Sequence, residues 1–417
     1  MMHDLCLDEG LVQPLYDSYC LSNVRGTVMS LFGRSEKRLP DDVFDGVSLE
    51  GIEKVVLFVF DGFGMREWRR HTDGFVGALS SRGRVKEITS TFPSTTSTAL
   101  TTISTGLTPQ QHGLIEWYLY VKELDEIILT LPFSPLGSKG YDVLLKRASP
   151  RILFSGTPIS MELKREGIGT YSFLNRQIAR TGYSRLVHAG STVVPYASSS
   201  DLTVALRRHL ESSNGPSFFY VYWSFIDTIE HSYGPATDES DLEAHSISHA
   251  LKVGLLDRLS GQAASRTLFL ATADHGQIFS PSEEALLLNR YRKLVNSFAV
   301  SRRGRPVLPW GSPRDVYIMV EPEMLEETLA YLRERIGGVA DVIRAESAVR
   351  AGLFGRGRPS RRFADRVGNI MLLPRGTGSV WYRHPGVEPP HLKGQHGGLH
   401  PDEMRIPFAA ARASSLT

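Results

Sequence analysis

Three short, almost wholly apolar runs punctuate the chain, at 54–60 (KVVLFVF), 218–223 (FFYVYW) and 267–272 (TLFLAT). A strand with one face in water alternates apolar and polar positions. These runs do not alternate, so each reads as a strand buried on both faces of a parallel sheet. Around them the apolar spacing becomes helical, at 158–165, 201–212 and 239–259, and 65–80 also reads as a helix. Strands alternating with helices predict an α/β protein built on a doubly wound, mainly parallel sheet. Two tracts break the rhythm. Residues 116–153, where Trp117, Tyr118 and Tyr120 precede LDEIILTLPFSPLGS, read as a cap insertion. Residues 280–390 mix strands at 315–320 and near 369–373 with a helix at 322–336, the signature of an inserted α+β subdomain. The expected organisation is an N-terminal extension over 1–50, a core formed by 51–279 and 391–417, and the subdomain between them. Within the extension, 23–33 predicts a short amphipathic helix and 34–42 a polar linker.

Each apolar run ends in groups that bind cations. The first ends in Asp61-Gly62-Phe63-Gly64, at the strand end where open α/β sheets place their ligands. The alternative role for Asp61 is to cap the helix that follows. The second run leads to Asp227 and His231, spaced so that a helix projects both from one face. The third leads directly to Asp274-His275-Gly276, and near the C-terminus His396 lies among glycines in GQHGG. His245 and His249 share the four-residue spacing but follow no strand end, so they read as a helix face. His112 reads as structural, and His400 lacks the flanking glycines of His396.

Asp61, Asp227, His231, Asp274, His275 and His396 make an oxygen-and-imidazole set of six, enough for two catalytic ions with three ligands each and open positions. Two divalent ions about 3.5–4 Å apart stabilise the entering and leaving oxygens of a phosphoryl displacement. Zinc is the expected ion, and such ligands also accept manganese. The partner of this chemistry is a hydroxyl, and 89–106, TSTFPSTTSTALTTISTG, is crowded with them. Pro93 disfavours helix before it, while Ala99, Leu100 and Ile103 ahead of Gly106 predict a short helix from about Thr95. A helix start offers an anion both a hydroxyl and free backbone N–H groups, although a single Ser or Thr there ordinarily serves as a cap.

Composition narrows the function classes. Of 417 residues, 41% are hydrophobic and 22% charged, with a formal charge of +2, so no bulk charge argues for nucleic acid or membrane. No apolar run reaches the roughly 18 residues of a transmembrane helix, and the N-terminus has no apolar stretch of signal-peptide length. A cytoplasmic location is the expectation. Cys6 and Cys20, the only cysteines, suggest neither a disulfide framework nor a cysteine metal site.

The ordered series VVLFVFD61G, FPSTTSTALTTISTG, D227xxxH231, A273-D274-H275-G276 and H396-G397-G398 resembles the alkaline phosphatase superfamily. Within it the chain is most similar to the nucleotide pyrophosphatase/phosphodiesterase branch, whose T-F-P, T-G and P-x-x-H-G elements match Thr91-Phe92-Pro93, Thr105-Gly106 and Pro109 to Gly113. The resemblance spans about 54–408. It implies that Asp227, His231 and His396 hold one ion and that Asp61, Asp274 and His275 hold the other. For the nucleophile, T-F-P selects Thr91, whereas the ten-residue spacing back from Gly106 selects Thr96. Thr96 is preferred because it begins the helix, with Thr95 the near alternative. In this register Ala99 stands where the phosphodiesterases carry an Asn that donates to the phosphoryl oxygens.

The resemblance thus implies a phosphoric ester hydrolase with a phospho-threonine intermediate, acting on phosphodiesters or nucleotide pyrophosphates. Trp117 and Tyr118 are the candidates to stack a base or line a leaving-group pocket. Alternatives within the superfamily are a phosphomonoesterase or a phosphoglycerate mutase relative. An alternative of another class is a non-catalytic protein that binds phosphorylated ligands.

Overall fold

The computed structural model describes residues 10–388 and 391–416. Cys6 and the last two positions of the 280–390 tract lie outside the described residues. Seven strands form the central sheet: β1 (Lys54–Phe60), β2 (Arg84–Thr89), β3 (Gly169–Asn175), β4 (Thr192–Tyr196), β5 (Ser217–Trp223), β6 (Thr267–Ala273) and β7 (Arg405–Arg412). Their order is β2-β7-β6-β1-β5-β3-β4. Every residue of β1, β5 and β6 is buried, as unalternating apolar runs require. The sheet is parallel except for β7, which runs antiparallel to both β2 and β6.

Register explains why the ligand-bearing loops meet. β1 pairs in parallel with β5 and β6, with Phe60 opposite both Trp223 and Ala273, so all three strands finish level. Asp61, the helix carrying Asp227 and Asp274 therefore emerge at one edge. Because β7 runs the other way, its first residue Arg405 lies opposite Thr89, the last of β2. That reversal brings the loop ahead of β7, which carries His396, beside the loop after β2, which carries the hydroxyls.

The expected helices are present, with physical differences at their ends. The 65–80 segment is two helices, Met65–Arg70 and Gly74–Arg82. Gly74 breaks it by adopting a left-handed φ of +61°, and a side chain there would strike Ser248. The helix read over 239–259 spans Asp238–Gly254 and is followed by a tight turn. The helix read over 23–33 spans Val24–Leu31 and buries six consecutive residues, rather than one face, beneath the helix Thr96–Thr105.

In the 116–153 tract, Tyr118–Val121, Glu126–Leu129 and Ser134–Pro135 form an antiparallel sheet. In the later tract, Trp310–Ser312, Asp315–Ile318, Ile370–Pro374 and Ala340–Arg344 form a four-stranded antiparallel sheet, with the helix Leu325–Ile336 sharing its core. A second hydrophobic cluster, including Phe92, Tyr120, Trp310, Tyr317 and Phe354, joins both tracts to the hydroxyl loop.

Candidate active site

The helix α1 (Thr96–Thr105) begins at Thr96 and ends at Gly106 in the left-handed conformation, a common helix stop. Thr95 occupies the cap position, but its side chain makes no capping bond to the backbone and pairs with the Thr98 hydroxyl at 3.0 Å. The first amides of the helix are thus free of a side-chain cap. Thr96 Oγ1 lies 3.0 Å from His275 Nε2 and 3.5 Å from Asp61 Oδ1. Thr91, the other register, has a buried hydroxyl without a hydrogen-bond partner.

The six ligand candidates converge. Asp227 Oδ2 lies 3.4 Å from His231 Nε2, and Asp227 Oδ1 lies 3.6 Å from His396 Nε2. On the other side, His275 Nε2 is 3.5 Å from Asp61 Oδ1 and 3.4 Å from Asp274 Oδ2. The first trio is the one the resemblance implies. Ligand atoms of Asp61, Asp227 and His275 also lie within 4.8 Å of one another, so Asp227 reaches both halves. The cap role for Asp61 does not arise, because Gly64 caps the helix that follows. At Gly62, with φ +75°, an added Cβ would come within 3.0 Å of the Asp227 backbone, and this close approach is what brings Asp61 beside Asp227.

The donor chemistry fits divalent cations. His231, His275 and His396 each set Nδ1 against a backbone carbonyl, of Gly394 at 2.8 Å, Gly276 at 3.1 Å and Ser94 at 3.0 Å. With Nδ1 donating, the three Nε2 lone pairs face one another's carboxylates, the orientation of metal-binding imidazoles. Burial pushes the His275 imidazolium value down to about 4 and that of His396 to about 3, so both rings are neutral at neutral pH. Asp274 Oδ2 is buried and accepts no hydrogen bond. Burial, reinforced by the charges of Asp274 and Asp227, drives the Asp61 carboxyl well above its usual range, and burial pushes Asp274 to about 6. Burial also acts to raise Asp227, but the imidazoles of His231, His396 and His275 outweigh it and hold that carboxyl low. Crowded carboxyl groups, neutral imidazoles and an orphaned oxygen form a site that cations would stabilise.

Several residues of the site were not foreseen. Tyr222 of β5 donates to Asp61 Oδ2, and the Gln277 amide donates to Asp227 Oδ1. A tyrosine in a strand buried on both faces needs a hydroxyl partner, and that was the available signal for Tyr222. Glu403 accepts from the Gly398 amide at 3.0 Å and the His400 amide at 3.1 Å, while Arg314 donates to both its oxygens. This wholly buried pair braces the His396 loop. Gly397 there has φ +129°, and an added Cβ would lie 2.4 Å from Ser312 Oγ. The N-terminal extension braces the same loops. Val12 N–H donates to Leu399 O at 2.8 Å, Thr89 N–H to Tyr19 O at 2.8 Å, and Phe92 N–H to the Tyr16 hydroxyl at 3.1 Å.

Other sequence candidates lie elsewhere. His112 is buried, bonded to the Thr102 hydroxyl and the Leu114 amide, in keeping with a structural role. His245 and His249 are exposed on the helix Asp238–Gly254, and His400 caps the helix Pro401–Met404. Among the described residues no hydrogen bond or ring contact joins Trp117 or Tyr118 to the ligand cluster; Tyr118 packs edge-on against Trp381, with ring centres 5.5 Å apart.

Comparison with known proteins addresses the fold and the family. Residues 55–399 match the family model for type I phosphodiesterase/nucleotide pyrophosphatase. Human ectonucleotide pyrophosphatase/phosphodiesterase 5 superposes with a TM-score of 0.64 at 17% identity, covering 86% of this chain and 87% of that one. An inactive form of the murine protein, in complex with AMP, gives 0.63 at 17% identity, covering 86% and 88%. Phosphonoacetate hydrolase from Sinorhizobium meliloti 1021, in complex with phosphonoformate, gives 0.59 at 15% identity, covering 88% and 94%. At these identities the superpositions establish the shared fold. No curated protein matches by sequence. The family match covers most of the length and spans every ligand candidate and the hydroxyl helix, so the chain belongs to the type I phosphodiesterase/nucleotide pyrophosphatase family, whose chemistry is the hydrolysis of phosphoric esters.

Proposed function

We propose that the protein is a two-metal hydrolase of phosphodiesters or nucleotide pyrophosphates that works through a covalent phospho-threonine at Thr96. The observation that carries this reading is the Thr96 hydroxyl, at the start of a helix whose cap side chain leaves the backbone amides free, 3.0 Å from His275 Nε2 and 3.5 Å from Asp61 Oδ1. Asp227, His231 and His396 would hold one ion, and Asp61, Asp274 and His275 the other, with zinc the expected metal. When bound, such ions neutralise the phosphoryl oxygens and lower the pKa of oxygens they contact.

Thr96 Oγ1 attacks phosphorus, an Oγ1–P bond forms as the P–O bond to the leaving alcohol or nucleotide breaks, and the hydroxyl proton is made up on the leaving oxygen. Water then displaces Oγ, releasing the phosphorylated product and restoring the hydroxyl. The amides at the start of α1, free of a side-chain cap, would donate to the transferred group in place of the Asn that Ala99 replaces. His231, His396 and Asp227 keep side-chain exposures of 23%, 11% and 13%, whereas Asp274 and His275 are sealed, so substrate approaches over the first trio. AMP in the murine relative supports a nucleotide as one candidate product.

The test compares hydrolysis of a bis-aryl phosphate and a mono-aryl phosphate by wild type and Thr96→Ala. Diesterase preference, loss of about 10³-fold or more in kcat in the variant, and a phosphorylated wild-type adduct by intact mass are expected. Full turnover in Thr96→Ala would remove Thr96 from the role, and a large monoester preference would assign the site to phosphomonoesters.

A further inference from the structure

The formal charge of +2 conceals an uneven distribution. Among the described residues, three of the eleven exposed large hydrophobic side chains, Tyr141, Val143 and Leu145, fall within five positions of the 116–153 tract, with exposures of 51%, 43% and 45%. Their outward direction is built in. Between them Leu144 is fully buried and its amide bonds to Phe133 O, while the Asp142 amide bonds to Pro132 O and its side chain accepts the Gly182 amide at 2.8 Å. Asp142 holds a left-handed φ of +64°, unusual outside glycine, so this presentation is maintained against local preference. Backbone bonds fasten the loop, the Val143 amide also donating to Ser134 Oγ at 3.3 Å, and the apolar side chains at 141, 143 and 145 stay exposed.

Exposed cations surround it: Lys139, Lys146, Arg147 and Arg151 on the same segment, and Arg180 and Arg185 flanking the Gly182 contact. Only Arg147 makes a side-chain ion pair among the described residues, with Glu126 at 2.6 Å. The sole other acid of 126–151 is Asp142, which is engaged with Gly182. A nucleic acid would complement the charge but not the apolar tip, and a second copy of this basic face would repel it. An anionic bilayer complements both, taking apolar side chains into its interface and cations at its headgroups.

We propose that the loop around Tyr141, Val143 and Leu145, with its ring of lysines and arginines, docks the protein on anionic lipid surfaces as a peripheral enzyme. No helix of the described residues is long and apolar enough to cross a membrane.

Co-sedimentation of the full chain with equimolar phosphatidylserine/phosphatidylcholine vesicles, against pure phosphatidylcholine vesicles, tests the proposal. Partition into the anionic vesicles alone is expected, weakening with salt. Val143→Ser/Leu145→Ser should reduce it about tenfold, and Lys139→Gln/Lys146→Gln about 25-fold, from roughly fivefold per cation. Both variants should keep wild-type turnover of a soluble aryl phosphate, which reports correct folding. Absence of anionic-vesicle binding, or equal binding by wild type and both variants, overturns the proposal. So does a concentration-dependent dimer that Val143→Ser/Leu145→Ser abolishes, or oligonucleotide binding tighter than vesicle binding.

Discussion

Glu403→Gln should be among the most damaging near-isosteric substitutions in the molecule, although Glu403 touches none of the six ligand candidates. Its carboxylate receives Arg314 Nε at 3.1 Å and Nη2 at 3.0 Å, and neither side chain is exposed. Neutralising one partner leaves the guanidinium buried without its counter-charge, which costs about 3–5 kcal/mol. An unfolding entropy of about 2.1 cal/mol/K per residue over 417 residues amounts to about 0.9 kcal/mol/K, so Tm should fall by about 3–6 °C. The double variant Arg314→Met/Glu403→Gln removes both charges and should recover most of that loss. Burial alone would raise the Glu403 carboxyl, but the Arg314 guanidinium outweighs it and holds the group below the usual glutamate range. A depressed folded-state value contributes stability that is complete above the ordinary carboxylate range and is lost as pH falls through the folded value. Wild type should therefore shed stability more steeply than Glu403→Gln on acidification. Scanning calorimetry across pH, with metal content measured after dialysis, is the assay. A single variant melting within about 1 °C of wild type, or a double variant no more stable than the single, would refute the reasoning.

Tyr222→Phe removes the hydroxyl that donates to Asp61 Oδ2 and should weaken divalent-metal binding or turnover by about 10–100-fold with little change in Tm; titrating zinc into chelator-stripped protein checks this, and unchanged affinity would deny Tyr222 an orienting role. Burial pushes the Asp315 carboxyl, which sits beside Glu116, up to about 7. A raised folded-state value means the fold holds a proton that the unfolded chain releases at about pH 4, so stability should decline as pH rises toward about 7. Asp315→Asn should flatten that decline, and parallel melting curves for the two proteins across the range would contradict it.

The legible part of the site was the part written in contiguous residues. The runs at 54–60, 218–223 and 267–272 announce buried strands because they lack alternation, and Asp61, Asp227 and Asp274 follow them within four residues. The spacing back from Gly106 marked Thr96 ahead of Thr91, and Thr96 is the hydroxyl that faces His275. Residues whose partners are remote in sequence were not legible. Arg314 and Glu403 are 89 positions apart and Tyr222 and Asp61 are 161 apart, so no local pattern connects either pair. The extension reads as an appendage because the hydrogen bonds that tie its described residues to the site go to Thr89, Phe92 and Leu399, all remote in sequence.

The amino-acid sequence by itself determined the class of fold and set out the six ligand candidates and their order, because strand burial and ligand chemistry are properties of short segments. Tertiary structure decided that the segments meet. The level ends of β1, β5 and β6 and the reversed β7 set four loops at one edge, and Asp227 could reach both halves of the cluster only through that register. It also decided where the charge lies. A net charge is a sum and carries no position, whereas folding placed lysines and arginines from two separate segments around one apolar loop.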